Sequence, residues 1–412
     1  MIIKKLEGKE RFEAYKLAMF CFHHRVEDID AKREKMEADT REAWGAFDDD
    51  ENKTLMAHII NYHYDFLVDG VPVKTGGIGA VSTLPEYRES GAVRAIFNEL
   101  LPQAYSNGEV LSSLYPFNHK FYRKFGYEVI PFETEYKFRP GVLANYRSLV
   151  LDDEKYAVHK WNKGESVKDF LDVYNSFASS FNLSAVRTEE KMLEHLRIEK
   201  EFIDRKFSYL FTIKEKPVAY LIFKDEYNPE AAHMKVEETA WTCRAGFNAI
   251  LNFLSRFSSD YGSITLRLPK GIDLLKIITT SDAYSIENRV CQHFMLRVVN
   301  AKKLLEIIKK PENCNFTIKI EDEIIKENNL GLRVLSDHLE VLNNADSSQT
   351  SGNETNDCKF DLELNVRALA QLAIGCTNLD EALLRPDVKM NGNEEMLRKC
   401  FFEKKLFVSE SF

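Results

Sequence analysis

The chain has 412 residues, 44% hydrophobic and 29% charged, which is the composition of a soluble globular protein rather than a disordered or fibrous one. At roughly 150 residues per domain, that length allows two or three domains. Lys and Arg number 56 against 65 Asp and Glu, and the net charge of −9 disfavours a generally basic nucleic-acid binder and suits a cationic partner. No run approaches the roughly 18 apolar residues of a membrane span, and Met1 to Glu10 has no apolar signal region, so the chain is expected to be cytoplasmic. The seven cysteines are odd in number and none forms a CxxC pair, which argues against a disulfide framework or a zinc knuckle. His23-His24 is the only histidine pair, and on a helix adjacent residues point about 100° apart, so no metal site is expected there or elsewhere.

In chain order, 9–22 reads as a helix, with Phe12, Tyr15, Met19 and Phe22 at helical spacing. A charged segment, 25–50, follows. Two apolar-rich runs, 54–68 and 73–83, surround Asp69-Gly70 and read as a hairpin. Residues 90–105 form a helical pattern, 111–114 a short strand and 127–138 another strand. The middle of the chain repeats this order: a hairpin of 207–213 and 218–223, a strand at 236–241, a helix at 247–257 and a strand at 263–268. The turn before that helix, Arg244-Ala245-Gly246, is one residue short of Arg88-Glu89-Ser90-Gly91. This reads as a duplicated fold whose second copy has lost a phosphate-binding turn. The last third differs: strands at 294–299, 315–320, 331–336 and 360–366, helices at 301–309, 369–374 and 394–400, and an almost wholly polar loop at 343–357.

Two stretches carry candidate chemistry. In Gly76-Gly77-Ile78-Gly79 through Arg94, a strand enters an Arg-x-x-Gly turn from which a helix starts, with Ser90 as its first residue. Unpaired N–H groups at a helix start can hold a pyrophosphate, and Gly91 lets the backbone approach closely. Many such turns bind nothing. In the second stretch, Ser112 to Glu128, Tyr122 is a candidate general acid, because a phenol keeps its proton at neutral pH and can pass it to a leaving thiolate. The competing reading makes Phe121, Tyr122 and Phe125 packing aromatics.

Together these stretches resemble the GNAT superfamily of N-acetyltransferases. More closely, Gly76-Gly77-Ile78-Gly79, Leu84-Pro85-Glu86-Tyr87-Arg88, Leu114-Tyr115-Pro116-Phe117 and Phe121-Tyr122-Arg123-Lys124-Phe125-Gly126-Tyr127 resemble the Eis (enhanced intracellular survival) family. The resemblance implies an α/β (α+β) architecture: a GNAT domain at 1–150, a degenerate GNAT-like domain at 151–290 and a sterol-carrier-protein-like domain at 291–412, assembled as a homohexamer. It implies acetyl-coenzyme A as donor and no metal. Val81, Ser82 and Thr83 would line the acetyl and pantetheine path. Arg88, Glu89, Ser90, Gly91, Ala92, Val93 and Arg94 would form the pyrophosphate turn, and Phe117 and Asn118 would touch the far side of the cofactor. Tyr122 would be the proton donor, and the chain-end carboxylate of Phe412 the proton acceptor. Val93 and Glu89 depart from the superfamily pattern, and a carboxylate at Glu89 must face solvent to leave pyrophosphate binding intact.

The resemblance further implies a small cationic amine as acceptor, of aminoglycoside or polyamine type, or a protein lysine; the acidic charge balance leads to the expectation of no nucleic-acid partner. Phe22, Trp44 and Phe47 are candidates for an apolar acceptor wall, and Glu27, Asp28 and Asp30 for ammonium contacts. Phe407, Val408 and Phe412 would surround the terminal carboxylate with apolar groups if the tail threads inward. A frayed terminus is the ordinary alternative. The competing function is a non-catalytic carrier or sensor of a hydrophobic ligand, which a closed apolar tunnel within 290–412 would favour.

Overall fold

The structure, a computed structural model, describes residues 1–24, 29–49, 51, 53–147, 155–197, 205–226, 232–278, 284–342 and 360–410. Its first sheet begins with β1 (Ile2–Lys5), β2 (Glu42–Phe47), β3 (Leu55–Val68) and β4 (Val71–Thr83), each antiparallel to the next, and continues to β5 (Leu111–Leu114), parallel to β4. The expected hairpin is β3 and β4, turning at Asp69-Gly70. Helix α1 (Lys9–Cys21) covers one face, where Ala14 meets Leu6, Ala43 and Phe47. After the short α2 (Arg33–Glu37), helix α3 (Ala92–Ser106) covers the other face through Ile96, Phe97, Leu100 and Leu101. The alternation of a strand makes this possible, since Trp44 and Ala46 face α3 while Ala43 and Phe47 face α1.

The expected strand at 127–138 is in fact two strands in two sheets. After the one-turn helix α4 (His119–Arg123) comes β6 (Glu128–Val129); the chain then breaks at Ile130-Pro131-Phe132 before β7 (Glu133–Phe138). Proline has no N–H for a ladder, so pairing stops there. The second sheet holds β8 (Tyr156–Lys160), β9 (Lys206–Ile213), β10 (Lys216–Glu226), β11 (His233–Trp241), β12 (Ser263–Pro269) and β13 (Ile286–Val290). Helices α5 (Lys168–Ala178) and α6 (Glu189–Leu196), not anticipated from the sequence, precede β9, and α7 (Arg244–Ser255) links β11 to its parallel neighbour β12.

The two sheets exchange strands. β14 (Met295–Val298) lies between β5 and β6, and β7 lies between β12 and β13. Each GNAT-like unit is thus completed by a strand from the other, which joins the units through main-chain hydrogen bonds as well as side-chain packing. The last unit is a five-stranded sheet of β15 (Asn315–Glu321), β16 (Leu330–Leu335), β17 (Leu339–Val341), β18 (Leu362–Asn365) and β19 (Val388–Met390), in the order β17-β16-β15-β18-β19. The helix Val366–Ile374 packs on it and shares its core with Phe66, Leu111 and Leu296 of the first unit. The polar loop expected at 343–357 falls outside the described residues.

Candidate active site

β4 pairs with β5 only from Thr75 to Ile78, opposite Leu111 to Leu114. β4 continues to Thr83 while the chain leaves β5 through Tyr115 and Pro116, so Gly79, Ala80, Val81, Ser82 and Thr83 run past the end of the β4–β5 pairing, where the two strands part. A bulge helps to part them: the register with β3 shifts between His58 and Ile60, and Ala80 adopts φ 52°.

β4 leads on to the start of α3. The helix begins at Ala92, two residues later than Ser90, because Gly91 is the N-cap in the left-handed region (φ 87°). A Cβ there would touch nothing within 4 Å, so the constraint on Gly91 is conformational, and the space over it is open. Ser90 Oγ accepts from the Ala92 N–H at 3.3 Å. The N–H groups of Gly91, Val93 and Arg94 make no hydrogen bond with the described residues. Arg88 and Arg94 are exposed and form no ion pair among them. Glu89 has φ 68° and is exposed, which meets the condition set by its charge. These residues form an uncapped, positively polarised helix start of the kind that holds a phosphate. In the second unit, Gly246 lies inside α7, and a Cβ on it would stand 2.5 Å from the Val218 carbonyl oxygen. That glycine serves the close contact of α7 with β10.

Tyr122 lies on α4, where the Asn118 Oδ1 cap accepts from the Phe121 N–H at 3.0 Å. Its ring is 2% exposed and packs edge-on against Phe97, Phe117, Phe121 and Tyr127. The hydroxyl has no hydrogen bond among the described residues, and burial raises its pKa, holding it protonated. Tyr122 is therefore a packed aromatic whose hydroxyl stays protonated. Phe117 is 72% exposed, beside Asn118, on the loop leaving β5.

The chain tail returns to this place. Phe407 N–H bonds the Asn182 carbonyl at 3.0 Å, and the Phe407 ring packs on Phe177 and Phe181. Ser409 Oγ meets Tyr174 Oη at 2.7 Å. The Tyr115 hydroxyl, one residue past the end of β5, donates to the Glu410 carbonyl at 2.5 Å. Arg187, buried over the Tyr174 ring, donates Nε to Glu410 Oε1 at 2.8 Å and a nitrogen to each oxygen of Glu238 at 2.8 and 2.7 Å. His195 Nε2 lies 3.1 Å from Glu410 Oε2. Burial alone would push Glu238 up, but Arg187 overcomes it and leaves the carboxyl at about 2; Glu410 is also lowered, against burial, by His195 and Arg187. A frayed tail is excluded up to Glu410. Ser411 and Phe412 lie outside the described residues, as do Glu27 and Asp28.

A cavity of about 580 Å³ opens beside the tail, between the two GNAT-like units, lined among others by Tyr64, Tyr115, Glu133, Glu237, Arg267 and Glu410. Burial raises the Glu133 carboxyl to about 6 against the pull of Arg267. The expected acceptor wall is not assembled as one surface: Trp44 and Phe47 are 6% and 7% exposed on opposite faces of β2, and Phe22 is 49% exposed. Asp30 pairs with Arg33 at 3.2 Å on an exposed helix face. His23 and His24 are exposed, and neither belongs to a ligand cluster among the described residues. Sequence reasoning gave Tyr115 no role, although it stands in the Leu114–Phe117 motif, and missed Arg187, Glu238 and Glu410; nothing local marks those three, because the partners of Arg187 in Glu238 and Glu410 lie 51 and 223 residues away.

A splayed parallel strand pair that opens on an uncapped helix start is the architecture of a GNAT-type acyltransferase. Residues 2–130 match the family described as the acetyltransferase (GNAT) domain, so the first unit is a GNAT domain and the chain an acyltransferase. Three solved structures share the fold over nearly the whole chain. A probable N-acyltransferase from Enterococcus faecalis is 20% identical, with a TM-score of 0.80, over 98% of this chain and 97% of its own. A GCN5-related N-acetyltransferase from Anabaena variabilis is 19% identical, with a TM-score of 0.77, over 98% and 100%. Eis1 from Mycobacterium abscessus is 16% identical, with a TM-score of 0.76, over 100% of both chains. No curated protein sequence matches the chain.

Proposed function

We propose that the chain transfers an acetyl group from acetyl-coenzyme A to a primary amine. One observation carries this reading: the tail is anchored by the Tyr115–Glu410 bond at the point where β4 and β5 part, in a unit whose helix α3 starts with unpaired N–H groups. The turn from Arg88 through Arg94 holds the pyrophosphate, with its two arginines and backbone donors. The edge Val81, Ser82 and Thr83 lies along the pantetheine arm and offers N–H groups to the thioester oxygen as it gains charge. Phe117 and Asn118 bound the far side. Tyr122 keeps its proton until a thiolate leaves and then donates it. The α-carboxylate of Phe412 takes the ammonium proton; two residues reach at most about 7 Å beyond Glu410.

The acceptor is a small cationic amine of aminoglycoside or polyamine kind, or a protein lysine. The net charge of −9 supports that choice. The proposal also takes from the family resemblance a homohexamer, a cytoplasmic location and a sterol-carrier-protein-like third domain; light scattering tests the first. Among the described residues no helix is long and apolar enough to cross a membrane.

Thiol release from acetyl-coenzyme A, measured with a panel of aminoglycosides, polyamines and lysyl peptides, tests the function. Tyr122→Phe keeps the packing and removes the proton, so turnover should fall by roughly two orders of magnitude with little change in KM. Deleting Ser411 and Phe412, or adding residues after Phe412, should abolish most activity and leave the thermal midpoint near that of the unaltered chain. Normal turnover in either set removes that residue from the mechanism.

A further inference from the structure

We propose that Glu42, His63, Glu109 and Asn61 form a binding site for a divalent transition-metal cation on the first unit. It lies past the end of α3 opposite the Arg88–Gly91 turn, about 22 Å along that helix.

Strand geometry gathers the four residues. Asn61 and His63 alternate along β3 on the face where Ile59 packs against α3, and Glu42 shares that face of β2 with Trp44. Glu109 arrives from the turn after α3. His63 Nε2 is 3.3 Å from Glu42 Oε2 and Nδ1 is 3.4 Å from Glu109 Oε1. One ligand atom from each of these three residues lies within 4.8 Å of the others. Lys5 holds Glu42 Oε1 at 2.6 Å, fixing that carboxylate with Oε2 toward His63.

The second observation concerns buried acceptors without donors. Asn61 spends its amide nitrogen on Glu42 Oε2 at 3.0 Å and Glu109 Oε1 at 3.2 Å. Asn61 Oδ1 and Glu109 Oε2 then have no hydrogen-bond partner among the described residues, although the two side chains belong to residues only 1% and 3% exposed. Both oxygens lie packed against the Gly76 backbone. Gly76 stands opposite His63 in the β3–β4 register, and a Cβ on Gly76 would lie 2.6 Å from each of them. Two acceptors cannot satisfy one another, and a buried polar group left unpaired costs about 1–3 kcal/mol. A cation shared by the two side chains would satisfy both.

One imidazole nitrogen, two carboxylates and an amide oxygen form a mixed nitrogen and oxygen set, which suits Zn²⁺, Mn²⁺ or Fe²⁺ better than thiophilic ions. The route in is open: His63 and Glu109 line a surface cavity of about 540 Å³. The other His, Cys and Glu cluster, Glu133, Cys291 and His293, is less suited, because the Arg267 guanidinium sits 3.7 Å from Glu133 Oε1 where a cation would stand.

The test uses the full chain stripped with EDTA and titrated with Zn²⁺ by calorimetry and with Co²⁺ by absorption. One equivalent should bind, with visible Co²⁺ bands and no thiolate-to-cobalt band. His63→Ala, Glu109→Gln and Gly76→Ala should each weaken binding by more than the roughly tenfold typical of an outer-shell change. Gly76→Ala and Glu109→Gln alter buried positions; if either misfolds, His63→Ala, at a half-exposed side chain, gives the answer with circular dichroism as control. No saturable binding, binding unchanged in His63→Ala, or a thiolate band that places the ion at Cys291 would each overturn the proposal.

Discussion

Arg187→Met tests whether the tail is held by charge. The Arg187 side chain is fully buried, and it faces Glu238 and Glu410, whose side chains are 9% and 6% exposed. Removing the guanidinium leaves two carboxylates out of water with one cation fewer, a change that costs about 3–5 kcal/mol when a buried pair is broken. The loss should be partly local. Upstream, Lys404 N–H bonds the Gly375 carbonyl at 2.9 Å and Phe407 N–H bonds Asn182 at 3.0 Å, and these remain. Residues 408–410 should therefore detach before the chain unfolds, exposing the terminus to carboxypeptidase and lowering turnover. The pH dependence supplies a sign. Glu238 sits at about 2 in the fold and at about 4.3 when unfolded, so its contribution is present above about 4.3 and is lost as pH falls toward 2. Without Arg187, burial is opposed only by the weaker His195 and Tyr220 contacts, so this acid limb should shrink or reverse. Arg187→Met with Glu238→Met exchanges the pair for apolar groups and should recover much of the stability. Urea denaturation from acid to neutral pH, carboxypeptidase digestion and thiol release provide the readouts. An Arg187→Met chain with unchanged stability, acid limb and protection would refute the reasoning.

Arg88→Ala combined with Gly91→Val should weaken acetyl-coenzyme A binding in calorimetry, because one change removes a charge-assisted donor and the other forces a β-branched residue to φ 87°. Saturation should occur at one coenzyme A per chain, since the start of α7 is closed by its contact with Val218; a stoichiometry of two would contradict this. Gly246→Ala should cost about 1–3 kcal/mol in denaturation, because the added methyl meets a backbone carbonyl. Glu133 titrates at about 6, above its unfolded value, so its ionisation opposes folding as pH rises from about 4.3 to 6. Glu133→Gln should flatten that decline and raise stability at neutral pH by up to about 2 kcal/mol, and an unchanged profile would refute the shift.

The sequence alone determined the features whose causes are local. Asp69-Gly70 between two apolar runs marked the β3–β4 hairpin, and Arg88 to Gly91 before an apolar helical stripe marked the start of α3 to within two residues. The repeated order of hairpin, strand, helix and strand revealed the duplication. Within the charged segment, Glu42–Phe47 was not read as a strand, because only pairing with β1 and β3 buries its Trp44 and Ala46. Tertiary structure decided the rest. No local pattern states that Met295–Val298 completes the first sheet and Glu133–Phe138 the second, since both are ordinary strands and only the available edges choose their partners. Arg187, Glu238 and Glu410 are unremarkable in sequence for the same reason: a buried ion network depends on where distant backbones cross, and charge there becomes strong only after folding has removed the water.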